Sequence, residues 1–225
     1  LSVRSVSGGI AYENLTVRYL NPMPPVRQVR GTATFTDARF DLAIAGGSLD
    51  GLRVGPSAVA LSGLDNDRER AEIEVVASGP VKDALKLIDS KPLGYTSKIG
   101  IQMDGVSGEA AIRLRFAFPL ISTLKIEQVA LSAAANLRSV AVPNVIHGWD
   151  VSEAKGNLSL DGRGMTVKGD GRLQGVPVVF EWRESFDDAP QVRRRFEVTG
   201  RADDAARKAL DLPLQDKATF EKRKA

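Results

Sequence analysis

His147 is the only histidine in the chain, and it bounds the available chemistry. Paired imidazoles cannot hold a metal within one chain, and a Ser/His/Asp triad would have to run through this ring. Its neighbours Gly148 and Trp149 suit a loop histidine packed on an indole. The absence of cysteine removes thiolate ligands, disulfides and a thiol nucleophile, and fits a reducing or an oxidising compartment equally. Ser48 lies in Gly46-Gly47-Ser48-Leu49-Asp50-Gly51. Two residues separate it from the next glycine and no helical pattern follows, so the spacing of a nucleophile elbow is not met. Gly169 to Gly175 is one residue too long for the dinucleotide fingerprint, and strand-like alternation flanks it on both sides.

The carboxylates are no more promising. Asp65-Asn66-Asp67-Arg68-Glu69 has the start of a calcium loop. It lacks the glycine at the sixth position and the glutamate at the twelfth, and Arg68 and Arg70 oppose a cation, so it reads as a solvated hairpin tip. Asp187-Asp188 and Asp203-Asp204 are adjacent pairs, which do not face each other across a cleft as acid and base must. Arg193-Arg194-Arg195 is the densest basic run. With Phe196 alone beside it, stacking platforms for a nucleic acid are missing; contact with anionic headgroups, or protection of a strand edge, suits it better. The expectation is a chain that is not an enzyme, with no cofactor, no metal and no nucleic-acid partner.

The elements that would position these residues are mostly strands. The chain has 225 residues, 43% hydrophobic and 26% charged, with a net charge of +3 and no apolar run long enough for a transmembrane segment. Its 21 glycines exceed the roughly 16 of average usage and punctuate runs of period two. Ile112, Leu114, Phe116 and Phe118 alternate with Arg113, Arg115 and Ala117 up to Pro119. Val178, Phe180 and Trp182 alternate with Val179, Glu181 and Arg183; Ile73 and Val75 with Glu72 and Glu74; Phe196 and Val198 with Arg195, Glu197 and Thr199; Phe40, Leu42 and Ile44 with Arg39, Asp41 and Ala43. One-sided alternation favours antiparallel sheet. Two short helices are expected, one opening at Gly79-Pro80 and ending at Ile88-Asp89, the other from about Ala202 to Leu210. Residues 136–150, with Pro143, Asn144 and His147, suggest a crossing loop, and Leu64 to Arg70 a polar tip.

The two helices expose an internal repeat over about 31–93 and 156–214 within one continuous β segment spanning 1–225. Ser78-Gly79-Pro80 to Ala84 matches Thr199-Gly200-Arg201 to Ala205, and Pro92-Leu93 matches Pro213-Leu214, all at an offset of 121. Two short helices cannot cover the apolar sheet faces. The sheet either closes on itself as a sandwich or forms a trough whose interior takes an apolar ligand. In the second case Ile73, Val75, Ile112, Leu114, Phe116, Phe118, Val178, Phe180, Trp182, Phe196 and Val198 are the candidate lining, with Arg193, Arg194 and Arg195 at headgroups.

In their order, four further motifs resemble the AsmA-like envelope proteins, most closely the YhdP branch, related to TamB. They are Gly9 to Leu20 with Pro24-Pro25-Val26; Val29 to Phe35; Gly79-Pro80 through Ile88-Asp89 to Pro92-Leu93-Gly94-Tyr95; and Gly175-Val176-Pro177 leading into Trp182. The resemblance covers nearly the whole chain. It implies a long, twisted antiparallel sheet curled into a groove, held in the periplasm by an N-terminal inner-membrane anchor. It also implies phospholipid acyl chains and flanking β repeats as partners, with a part in phospholipid transport between membranes or in outer-membrane maintenance. The chain departs from the family in lacking that anchor and much of the length, and it begins at Leu1 without methionine, as an excised piece would. The alternative is a structural or interaction module with a closed core and no lipid ligand.

Overall fold

Alternating apolar and polar side chains build strands almost throughout. The structure is a computed structural model that describes residues 5–19, 22–91, 102–146, 148–186, 194–201, 203 and 210. Among them twelve strands form one antiparallel sheet. The strands are β1 (Ser7–Val17), β2 (Val26–Thr36), β3 (Arg39–Leu49), β4 (Leu52–Val54), β5 (Ser57–Ser62), β6 (Arg70–Pro80), β7 (Ser107–Pro119), β8 (Ala130–Ile146), β9 (Trp149–Asp161), β10 (Gly164–Leu173), β11 (Val176–Ser185) and β12 (Arg194–Gly200). Strand order follows chain order, with β4 and β5 both lying between β3 and β6. The described residues pack as two units, one from Leu1–Gly79 with Ile112–Ala133, the other from Pro80–Ala111 with Ala134–Ala225.

Helix α1 (Val81–Asp89) starts at Pro80, which needs no N–H there, and ends where the Ser90 N–H donates to the Lys86 carbonyl at 3.0 Å. Asp83 in its first turn and Lys86 in its last suit the helix dipole. The expected second helix, Ala202 to Leu210, lies outside the described residues except for Asp203 and Leu210. So do Pro92-Leu93, Pro213-Leu214, His147, Asp187, Asp188, Arg193 and Asp204.

The crossing loop expected over 136–150 is instead strand: β8 continues to Ile146 and β9 opens at Trp149. Pro143 is tolerated because the ladder is irregular beside it. Asn144 takes φ 57°, and its N–H donates to Asp150 Oδ1 at 2.9 Å. The tip over Leu64 to Arg70 forms as expected, with Asn66 Oδ1 accepting the Arg68 N–H at 2.9 Å.

Backbone irregularities recur along the chain. Asn14, Gln28 and Asp50 have φ of 54°, 53° and 45°, while Ser139, Glu153 and Gln174 have 49°, 51° and 48°. The spacings are 139 − 14 = 125, 153 − 28 = 125 and 174 − 50 = 124. Asp50-Gly51 and Gln174-Gly175 are both two-residue hairpin turns with positive φ at each centre, the I′ geometry, closed by Leu49↔Leu52 and Leu173↔Val176. The drop from 125 to 124 has a local cause. β3 carries an extra residue, Ala45, where its register slips between Gly31↔Ile44 and Arg30↔Gly46, and β10 has no counterpart.

Candidate functional site

In the first unit one sheet face is continuously apolar. Register sets Ile10 opposite Ala33, Phe35 opposite Phe40, Leu42 opposite Val59, and Val59 opposite Ile73. On the other face Glu74 binds Arg113 at 3.1 Å and Arg115 at 3.0 Å. Alternation then turns Ile73, Val75, Ile112, Leu114 and Phe116 to the apolar side. The Ala45 bulge keeps this face intact, because it returns Gly47 and Leu49 to the side of Ile44. Toward the Asp50-Gly51 turn, Val29, Leu49, Leu52, Val54 and Ala77 are buried. Away from it, Phe35, Phe40, Val59, Leu61, Phe116 and Phe118 are only half-buried, and on β1 Ile10 is 53% exposed.

One bonded detail holds this face together. Pro56 has no N–H, and between Val54↔Ala77 and Ala58↔Glu74 the register slips by a residue. Ser57 repairs the gap: its hydroxyl accepts the Val76 N–H at 3.0 Å and donates to the Gly55 carbonyl at 2.9 Å. It is the buried polar side chain of the described residues.

In the second unit four strands stack their apolar residues in rows. Leu158, Val167, Trp182 and Phe196 are successive partners across β9 to β12, and the Trp182 and Phe196 rings stack with centroids 5.2 Å apart. Gly156, Gly169, Phe180 and Val198 form the next row, in which Phe180 faces glycine rather than another bulky side chain. Near the Gln174-Gly175 turn Leu173, Val176, Val178 and Leu210 are buried together, while Phe180, Trp182, Phe196 and Val198 are half-buried. The opposite face is polar, laced by Lys155–Asp170, Lys168–Glu181 and Arg195–Glu197 pairs at 3.5, 3.3 and 2.8 Å. The Arg183 guanidinium, hydrogen-bonded to Glu181, holds that carboxyl below the ordinary glutamate range, with Lys168 assisting.

All eleven candidate lining residues therefore lie on apolar faces: seven in β11, β12 and β6, and four in β7. The sequence missed Ile10, Phe35, Val59, Leu61, Leu158, Leu160, Met165 and Val167. Leu158-Leu160 and Phe35 do alternate, but glycines and bulges break their runs. Arg194 and Arg195 do not form one patch. Arg194 pairs with Glu184 at 2.7 Å on the apolar side, Arg195 pairs with Glu197 on the polar side, and Arg193 is outside the described residues. Ser48 Oγ donates to the Gln28 side-chain oxygen at 3.4 Å. Asp65 accepts from Asn66 at 2.8 Å within the tip. Among the described residues no group of acidic or histidine side chains could hold a metal, and no helix is long and apolar enough to cross a membrane.

The fully buried apolar side chains are alanine, valine, leucine and one methionine, and every described phenylalanine and tryptophan keeps part of its surface exposed. Large aromatic side chains contribute most when buried, and in both units the aromatic part of the apolar face is less fully covered by the described residues than the part near the turns. Compared with protein-family models, with curated proteins and with solved structures, the chain finds no match.

Proposed function

We propose that this chain is a non-enzymatic segment of an AsmA-like, YhdP-related envelope protein whose apolar β faces shield phospholipid acyl chains. It would act in the periplasm, tethered to the inner membrane by a segment N-terminal to this one and continued by flanking β repeats. The observation that carries the reading is the half-buried apolar surface in each unit, Ile73 and Phe116 in the first and Phe180, Trp182 and Phe196 in the second. Shielding needs no catalytic group. Each methylene moved from water onto such a face gains about 0.8 kcal/mol, so a curled face would lower the cost of carrying a chain through an aqueous space. The positive-φ positions recurring at an offset of 125 and the matching turns at 124 support a duplicated unit, with one such face in each copy.

Native mass spectrometry of the purified chain tests this. Copurified phospholipid is expected, and its absence under conditions that preserve lipid in a known carrier would remove the reading. A second reading, an interaction module closed by a protein partner, is favoured by β1. That strand ends the sheet order with Ile10, Leu15 and Val17 exposed at 53%, 46% and 39%. A partner strand or sheet seated there would protect those residues without lipid.

A further inference from the structure

One ion pair interrupts the apolar face of the second unit. Glu184 and Arg194 are direct cross-strand partners in the row Leu160–Met165–Glu184–Arg194. The guanidinium donates through Nε to Glu184 Oε2 at 2.7 Å and through Nη2 to Oε1 at 3.2 Å. Trp182 joins them: its Nε1–H donates to Glu184 Oε2 at 3.1 Å, and the Arg194 guanidinium lies 5.7 Å from its ring centre. The pair is partly withdrawn from water, with side chains 36% and 12% exposed for Arg194 and Glu184.

The fold does not require charge at this place. The row Leu158–Val167–Trp182–Phe196 corresponds to Ala33–Leu42–Val59–Ile73 in the first unit, and two residues further along the same strands Leu61 faces Ala71 where Glu184 faces Arg194. An apolar pair fills the same position there. Removing two charges from water costs free energy that their attraction recovers only in part, so the ion pair asks for another reason.

We infer that Arg194, set by Glu184 and Trp182, is a headgroup station: it takes the phosphodiester of an amphiphile whose chains lie over Trp182, Phe180, Phe196 and Val198. This rests on the lipid-shielding reading. It adds selectivity and direction, because the chains would run from Arg194 toward the buried Leu173–Val178 end. A guanidinium matches a phosphate in a paired geometry. Glu184 orients the guanidinium but also competes with the phosphate for it.

Isothermal titration of the purified chain with short-chain phosphatidylglycerol, diacylglycerol of the same chains, and inorganic phosphate tests the inference. Wild type is expected to bind phosphatidylglycerol more tightly than diacylglycerol and to bind inorganic phosphate too weakly to compete. R194Q should lose about tenfold for phosphatidylglycerol and nothing for diacylglycerol, a change typical of one charge-assisted hydrogen bond. R194K should recover part of that loss, and E184Q should tighten phosphatidylglycerol alone. Equal loss of both lipids in R194Q would show a merely structural pair and overturn the headgroup station while leaving lipid shielding in place. Competition by inorganic phosphate would assign the site to a free anion instead. If neither lipid bound wild type, the shielding reading and this inference would fall together.

Discussion

Gly156 and Gly169 face each other across β9 and β10, and the space between those strands can be tested one methyl group at a time. A Cβ on Gly156 would lie 2.9 Å from the Gly169 Cα and closer still to the Lys168 carbonyl oxygen; a Cβ on Gly169 would lie 3.0 Å from the Gly156 Cα and closer to the Lys155 carbonyl. Carbon atoms in contact prefer about 3.5–4.0 Å, so either alanine must push backbone, not a flexible side chain, by roughly 0.6 Å or more. Overpacking of this kind costs about 1–3 kcal/mol, and because the obstacle is backbone the upper end is expected. For a chain of this size that corresponds to a melting shift of about 6–12 °C. Urea unfolding of G156A and G169A should show the midpoint falling at an unchanged slope. The double variant should lose less than the sum, since strands already parted for one methyl group accommodate the other. G162A is the control: nothing lies within 4 Å of its Cβ, and it should stay within about 0.5 kcal/mol of wild type. A G156A variant as stable as G162A would refute the close approach, and with it the row in which Phe180 rests against glycine.

Two further outcomes follow from bonded details. S57A removes the hydroxyl that accepts the Val76 N–H and should cost about 1–2 kcal/mol by leaving that donor unpaired; S57T, which keeps the hydroxyl, should lose less, as read by chemical denaturation. Glu181 titrates below the ordinary glutamate range in the folded chain, so its stabilisation is complete above the unfolded-state value and is lost as pH falls through the lowered folded value. Unfolding midpoints measured on acidification should therefore drop less steeply for E181Q than for wild type, and identical profiles would show that the Arg183 and Lys168 contacts are solvent-averaged.

Much of the architecture was legible because strand side chains alternate and water is on one side. The runs Ile112–Phe118, Val178–Trp182 and Phe196–Val198 each named their apolar face correctly, since nothing interrupts period two within them. Where a bulge adds a residue, the pattern changes phase and the sequence becomes opaque. Ile44 and Leu49 share a face although five residues apart, and Gly46-Gly47 there serves the bulged strand. β10 was obscured for another reason: Gly169 and Gly171 stand where apolar residues would have completed the alternation of Met165, Val167 and Leu173. Pro143 suggested a loop because a proline normally ends a strand, but the positive φ of Asn144 had already broken the ladder. The split of Arg194 and Arg195 onto opposite faces was implicit in Phe196 and Val198 sharing the apolar face, yet the partner that gives Arg194 its meaning, Glu184, is ten residues away on the neighbouring strand.

The most direct measurement is photocrosslinking in cells, with a benzophenone side chain placed at Phe116 and at Phe180 of the full-length protein and the adducts identified by mass spectrometry. Open, lipid-shielding faces predict phospholipid acyl adducts at both positions and none at Val179, which is 62% exposed on the polar side. Adducts only to peptide at both positions would contradict lipid shielding and identify the apolar faces as protein contacts.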